Sequence, residues 1–255
     1  IESDLTLYEL QDPPIGEAEK AVAQYAAEMV HDGDCIQLGF GGIPNAIGFE
    51  LMNRHDLGIH TEQIGASMAH MIQSGVVTNR YKNLDRGWSV GAFIIADNFT
   101  YNYVNNHPRI MMRRGRYTND PMIIAQQDNM VSINAALQID LTGQVAAEAI
   151  GTVQWSGTGG ATDYAYGAYH SRGGRAMLCQ ISTAKKGTIS RIAPILDPGS
   201  IVSVSRNLTD MVITEYGVAK LRQRTVKQRV ENLIAVAHPD FRAELRKEAN
   251  KYMYF

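Results

Sequence analysis

Residues 35–52 constrain the fold more tightly than any other stretch. Cys35 to Phe40 is a short apolar run, Gly39-Phe40-Gly41-Gly42-Ile43-Pro44 breaks it, and Asn45 to Met52 resumes with helical character. A strand, a glycine-rich turn and a helix start, in that order, aim main-chain N–H groups at an anion. Short strands and helices alternate along the rest of the chain. That alternation predicts an α/β domain built on a mostly parallel open sheet with helices on both faces. Such sheets bind ligands at the carboxyl ends of their strands. Soon after the glycine-rich loop comes Asp56-Leu57-Gly58-Ile59-His60-Thr61-Glu62. Read as a strand, it puts Leu57, Ile59 and Thr61 on one face and Gly58, His60 and Glu62 on the other. A carboxylate at a strand end can serve as a nucleophile toward an activated acyl group. On spacing alone, the plainer alternative of a solvated glutamate at a surface strand end stands beside it.

Composition excludes several classes. With 45% hydrophobic and 20% charged residues in a chain of 255, there is material for a large core. A net charge of −2 gives no argument for nucleic acid or a membrane surface. Cys35 and Cys179 stand alone, without disulfide or metal-ligand spacing, which fits a reducing compartment. No run approaches the length of a membrane helix and no signal-peptide pattern opens the chain, so a cytoplasmic location is expected. Residues 1–14, closed by Pro13-Pro14, read as a linker from something upstream.

Along the remainder, Gly16–Val30, Gly65–Ser74, Asn98–Asn105, Val218–Leu221 and Lys227–Val236 read as helices, and His238-Pro239-Asp240-Phe241 opens a last one. In the first, Ile15, Ala18, Val22, Tyr25, Ala26 and Met29 make the apolar stripe. Trp88–Ile95, Arg109–Met112, Met130–Ile139, Ala176–Ile181, Ile201–Ser205 and Met211–Thr214 read as strands. Ser156-Gly157-Thr158-Gly159-Gly160 is a second glycine-rich loop, followed by a helix expected from about Tyr164 to Tyr169. Glu148, just upstream, is a second candidate carboxylate, read as structural or as a helper. Arg113-Arg114-Gly115-Arg116 is either a solvated loop or an anion site, and Lys185-Lys186 sits in a basic turn able to meet phosphates. His60 has no second ligand at a useful spacing, so no metal site is expected. Read from the residues alone, the chain suits acyl or phosphoryl chemistry on an anionic ligand, or a nucleotide-binding domain without catalysis.

Taken together, the motifs resemble class I coenzyme A transferases, in the group of acetyl-CoA hydrolases/transferases and 4-hydroxybutyrate CoA-transferases. The resemblance is carried by Leu38-Gly39-Phe40-Gly41-Gly42-Ile43-Pro44-Asn45-Ala46, by Asp56 through Glu62, by Asn119-Asp120-Pro121, and by Asp128 through Asn134. It continues through Asp140-Leu141-Thr142-Gly143-Gln144-Val145, Ser156 through Gly160, Ser190-Arg191-Ile192, Thr214 through Ala219, and Ala237-His238-Pro239-Asp240-Phe241. These motifs follow in order over nearly the whole chain past Gly16. The resemblance implies that residues 15–255 are the C-terminal half of such an enzyme, with an N-terminal half of similar fold before the linker. It implies that Glu62 is the catalytic glutamate, forming a glutamyl-CoA thioester through a mixed anhydride in a ping-pong cycle. Gly42 and Ile43, with Gly157, Gly159 and Gly160, match its oxyanion and CoA-binding loops, and Lys185 and Lys186 fall near its CoA-contacting segment. Coenzyme A would be a substrate, with no permanently bound cofactor. The partners implied are an acyl-CoA, a small carboxylic acid, the N-terminal half and a second copy in a homodimer. An acyl-CoA hydrolase, with water replacing the second acid, would use the same glutamate.

The chain also departs from that pattern. Gln63 through His70 contains no acid where relatives carry an acidic helix, and Gln223 stands where glycine is common. Arg113-Arg114-Gly115-Arg116 replaces a more neutral, partly acidic segment. Lost acids and gained arginines lead to the expectation of a dicarboxylic substrate whose distal carboxylate meets Arg113, Arg114 or Arg116.

Overall fold

In a computed structural model, which describes residue 4, residues 6–10 and residues 14–252, six strands form the central sheet. Their order is Gly217–Lys220, Met211–Thr214, Arg175–Cys179, Met130–Ala135, Cys35–Leu38 (β1) and Gly58–Ile59 (β2). Neighbours run parallel except for the outer hairpin of Met211–Thr214 with Gly217–Lys220. The helices are α1 (Glu17–Glu28), α2 (Gly42–Glu50), α3 (Ala66–Gln73), α4 (Asn98–Val104), α5 (Gly115–Thr118), α6 (Pro121–Ile124), α7 (Ala161–His170), α8 (Val226–Val236) and α9 (Pro239–Lys251). Among the described residues no helix is long and apolar enough to cross a membrane.

Both faces of the sheet are buried, which is why its strands read as nearly continuous apolar runs. Ala176 and Leu178 share a core with Tyr164 and Ala168 of α7 and Leu233 of α8. Met177, Cys179 and Ile213 point the other way, into a core with Val22 and Ala26 of α1 and Ile47 of α2. The period of two along each strand therefore sorts side chains between two cores. α8 begins with a full capping box, Thr225 with Gln228, and α9 with Pro239 in its first turn behind a His238 cap.

Several expected elements shift. α2 begins at Gly42 and α7 at Ala161, each about three residues before the expected start, so both glycine loops run directly into a helix. Val218–Leu221 is no helix. Gly217, at φ 125°, returns the chain after Glu215-Tyr216, and Gly217–Lys220 pairs antiparallel with Met211–Thr214. Four residues are too few to carry a helical period, so pairing decides. Met130–Ile139 divides into Met130–Ala135 and Gln138–Asp140. Ile201–Ser205 forms only an isolated bridge, from Val204 to Val145. Trp88–Ile95 divides into Ser89–Gly91 and Phe93–Ile94, because the N–H groups of Ala92 and Phe93 both turn to the Glu62 carbonyl, at 2.8 and 3.1 Å. On α1, Ile15 and Tyr25 lie outside the buried stripe, which is Val22, Ala23, Ala26 and Ala27. Of the expected linker, residues 1–3, 5 and 11–13 lie outside the described residues. Its described part meets the domain where Leu10 N–H donates to Ala96 O at 3.0 Å and Tyr101 Oη donates to Tyr8 O at 2.7 Å.

Leu178, 2% exposed at the centre of the sheet, tests the two-core account. Leu178→Ala is expected to cost about 2–5 kcal/mol, measured from the urea unfolding midpoint.

Candidate active site

Glu62 follows the carboxyl end of β2, and its backbone is held from several sides. His60 N–H donates to Ile36 O at 3.2 Å, Thr61 N–H donates to Val90 O at 2.9 Å, and the Glu62 carbonyl receives the two donors already described. The partly buried carboxylate reaches across to the second glycine loop, where Gly160 N–H donates to Glu62 Oε2 at 3.0 Å. Gly160 is the N-cap of α7, and no side chain caps that helix. Glu62, ninety-eight residues away in sequence, therefore takes one of its orphan N–H groups. The positive end of the helix dipole favours a carboxylate there. A side chain here would push the carboxylate away: a Cβ on Gly160 would lie 2.7 Å from Glu62 Oε2 and 2.6 Å from Asn119 Nδ2.

Asn119 is the second side chain that crowds Gly160. Thr118 Oγ1 donates to its Oδ1 at 2.9 Å, and its side chain also hydrogen-bonds Asp163 in the first turn of α7. Burial raises the Asp163 carboxyl pKa; the Asn119 bond opposes that shift, while the nearby Glu62 and Asp120 charges reinforce it. Behind this pair, the Thr118 carbonyl accepts from Tyr164 Oη at 2.7 Å and lies 3.1 Å from His60 Nε2. That geometry makes Nε2 the protonated nitrogen of a neutral imidazole, with Nδ1 unpartnered. Burial, with the Lys82 charge second, lowers the His60 pKa to about 4. His60 is thus part of an aromatic nest with Tyr117 and Tyr164.

The first glycine loop faces the chain that follows Glu62. Gly39 N–H donates to Ile133 O at 2.7 Å, and Gly41, at φ 117°, caps α2. Gly42 and Ile43 form the first turn of that helix, again without a capping side chain. A cavity of about 30 Å³ separates this loop from the chain after Glu62; Gly39, Gly41, Asn45, Gln63 and Ser67 are among its lining residues. Beneath the loop, Gln37, Ser132 and Asn134 form a closed buried network, with Gln37 Nε2 donating to Asn134 Oδ1 at 3.0 Å and Ser132 Oγ to Gln37 Oε1 at 2.9 Å. A Cβ on Gly39 would meet Asn134 Oδ1 at 2.7 Å.

The structure brings together Glu62 and Gly160 and sets the Gly39–Ile43 loop nearby. Gly157 and Gly159 are exposed in the loop leading to Gly160. Lys185 and Lys186 sit exposed at the tip of a hairpin between Thr183–Ala184 and Ile189–Ser190, both at positive φ, 47° and 58°. Arg113 is engaged, 3.6 Å from Asp85 and stacked over Tyr117, whereas Arg114 and Arg116 are exposed. Glu148 is buried and offers its main-chain carbonyl to Trp155 and Ser156. Asn119, Asp163 and the Gln37–Ser132–Asn134 network were not singled out by residue type. The one sequence signal for Asn119 is its place before Asp120-Pro121, which on its own marks a helix start.

Comparison with known proteins identifies the family. The family model described as acetyl-CoA hydrolase/transferase C-terminal domain matches residues 97–249. A succinyl-CoA:cyclohexane-1-carboxylate CoA transferase of Geobacter metallireducens is 47% identical over 98% of this chain and 57% of its own length. A 4-hydroxybutyrate coenzyme A transferase of Clostridium kluyveri is 44% identical over 98% of this chain and 58% of its own. The crystal structure of RipA from Yersinia pestis superposes with a TM-score of 0.94 at 42% identity, covering 98% of this chain and 57% of that one. The chain spans a little over half the length of these relatives.

Two outcomes follow from the contacts. Gly160→Ala is expected to displace the Glu62 carboxylate, with a stability loss of about 1 kcal/mol or less because the crowded atoms are side-chain ends. Gly157→Ala, where a Cβ meets nothing within 4 Å, should change stability little; thermal unfolding of both compares them. The second outcome concerns His60, whose pKa is 6.5 ordinarily and about 4 when folded. Between those values the unfolded chain binds the proton and the folded one does not. Its contribution is complete above pH 6.5, is lost as pH falls toward 4, and amounts to about 3 kcal/mol. Unfolding titrations across that window should show this slope in the wild type and lack it in His60→Phe.

Proposed function

From the premise that the chain belongs to the acetyl-CoA hydrolase/transferase family, we propose that it supplies the catalytic glutamate of an enzyme moving coenzyme A between an acyl-CoA and a carboxylic acid. The observation that carries the reading is the Gly160 N–H donated to Glu62 at the head of α7. A carboxylate held there is oriented and faced by a main-chain donor that remains in place as it reacts. Glu62 attacks the thioester carbonyl, a C–O bond forms, the C–S bond breaks, and CoA thiolate leaves behind a mixed anhydride. The thiolate then attacks the glutamyl carbonyl, making a glutamyl-CoA thioester and releasing the first acid as its carboxylate. The second acid reverses both steps and leaves as the new acyl-CoA. No step needs a permanently bound cofactor or an external energy source, because one activated acyl is exchanged for another.

In this scheme the Gly160 N–H stands where charge develops on the glutamyl oxygen. The first turn of α2, with Gly42 and Ile43, offers uncapped N–H groups to the thioester oxygen. Lys185 and Lys186, held exposed in left-handed backbone, suit the phosphates of coenzyme A. A dicarboxylic acceptor would use Arg114 or Arg116, since Arg113 is already paired with Asp85. The homodimer and the N-terminal half belong to the same proposal.

The test uses the full-length protein. Ping-pong initial-rate patterns are expected, with Glu62→Gln lowering kcat about 10⁴-fold or more. Glu62→Asp, which withdraws the carboxylate by roughly one bond, should lose about 10²-fold. A panel of mono- and dicarboxylic acids set against water alone separates transferase from hydrolase. Full activity in Glu62→Gln would instead place the nucleophile outside this chain and leave it a binding domain.

A further inference from the structure

β2 is the edge strand that leads to Glu62, and its pairing with β1 is confined to Cys35–Gly58 and Ile36–Ile59. Its outer side is covered by a chain that bridges at Leu57–Val77 and again at His60–Val90. Between these bridges the covering chain leaves on an excursion, residues 78–89. The outward main-chain groups of Ile59 then have no strand opposite them. Two buried side chains take that place. Ile59 N–H donates to Asn79 Oδ1 at 2.8 Å, and Lys82 Nζ donates to Ile59 O at 2.9 Å. The same ammonium donates to Trp88 O at 2.7 Å, and Asn79 Nδ2 donates to Ser89 Oγ at 3.0 Å. The excursion is thereby riveted to β2 from inside.

Lys82 is 2% exposed, with its stem over Gly58, where a Cβ would lie 2.7 Å from Lys82 Cγ. An apolar side chain could cover this strand without the cost of burying a charge, but it could not hold a carbonyl. We propose that Lys82 is a positioning residue: clamped between the Ile59 and Trp88 carbonyls, it fixes the end of β2 and so sets the Glu62 carboxylate against Gly160. This inference rests on the reading of Glu62 as the nucleophile. The route is short. Ile59 is three residues from Glu62, and the intervening His60 is tied to Thr118 O, one residue before Asn119. Movement of β2 would displace the carboxylate and its amide neighbour together. Burial lowers the Lys82 pKa, with Asp85 opposing. The Lys82 charge, second to burial, helps keep His60 neutral against the Thr118 hydrogen bond, which favours the protonated ring.

The experiment mixes the full-length enzyme with acetyl-CoA and, in parallel, succinyl-CoA, and follows the covalent CoA adduct by quenched intact mass, alongside steady-state kinetics. In Lys82→Met, which keeps the stem and removes the donor, kcat and the adduct formation rate should each fall about 10–100-fold. The KM for acyl-CoA should stay within about twofold, and the adduct should still reach full occupancy. Adduct formation at the wild-type rate overturns the proposal, at full occupancy or at a reduced one. The reduced case would make Lys82 a folding residue only. Should Lys82→Met fail to fold, Asn79→Gly frees the N–H of the same Ile59 while tolerating the left-handed backbone at φ 56°. It should show the same split at about 3–10-fold, and an unchanged rate there also overturns the proposal. If the wild type forms no adduct, the reading of Glu62 fails first and the two failures are told apart.

Discussion

One hydrogen bond, from Gly160 N–H to Glu62 Oε2, joins the two halves of the site. Its partners come from opposite regions of the chain. Glu62 is delivered by an edge strand, and Gly160 by the loop that opens a helix packed on the central strands. For them to meet, the sheet order must place β2 beyond β1 and Met130–Ala135, and α7 must cross that sheet on one face only. The two cores fix this arrangement through the period of two along each strand. Stability and chemistry therefore share a cause, since a change that slips a strand also moves the carboxylate.

Around that bond the protein uses buried polar groups as fasteners. The Thr118 carbonyl collects His60 and Tyr164, Gln37 ties Ser132 to Asn134 under the first glycine loop, and Asn79 with Lys82 stand in for a missing strand. Each group is costly to bury without its partner, so each arrangement has few alternatives. The side chains lie one layer behind the carboxylate. They hold a flexible Glu side chain and a glycine-rich loop in register where neither has intrinsic rigidity.

Much of the site was legible because its residue types are rarely combined for structural reasons. Two glycine loops, each before a helix, and a glutamate at a strand end pointed to acyl or phosphoryl chemistry on an anionic ligand, with a nucleotide-binding domain as the alternative. The helix starts were misplaced by about three residues because glycine has low helix propensity, yet at a first turn its cost is small and close approach matters more. That shift hid Gly160 as a cap. Val218–Leu221 looked helical because a four-residue window carries no period, and its state was decided by Met211–Thr214. The contacts of Asn119 and Lys82 could not be read. An asparagine before Asp-Pro and a lone lysine have local explanations, and their partners are set only by the tertiary fold. The ion pair of Arg113 with Asp85 was unreadable for the same reason.

The central claim is that the Glu62 carboxylate itself becomes acylated, and heavy oxygen tests it most directly. In the double displacement, the acceptor acid attacks glutamyl-CoA and leaves one of its oxygens on the glutamate when the new acyl-CoA departs. Full-length enzyme cycled with acyl-CoA and an ¹⁸O-labelled carboxylic acid in ordinary water should gain label on the peptide containing Gly58–Gln63, at Glu62. Turnover with that peptide unlabelled would contradict the account and place the nucleophile elsewhere.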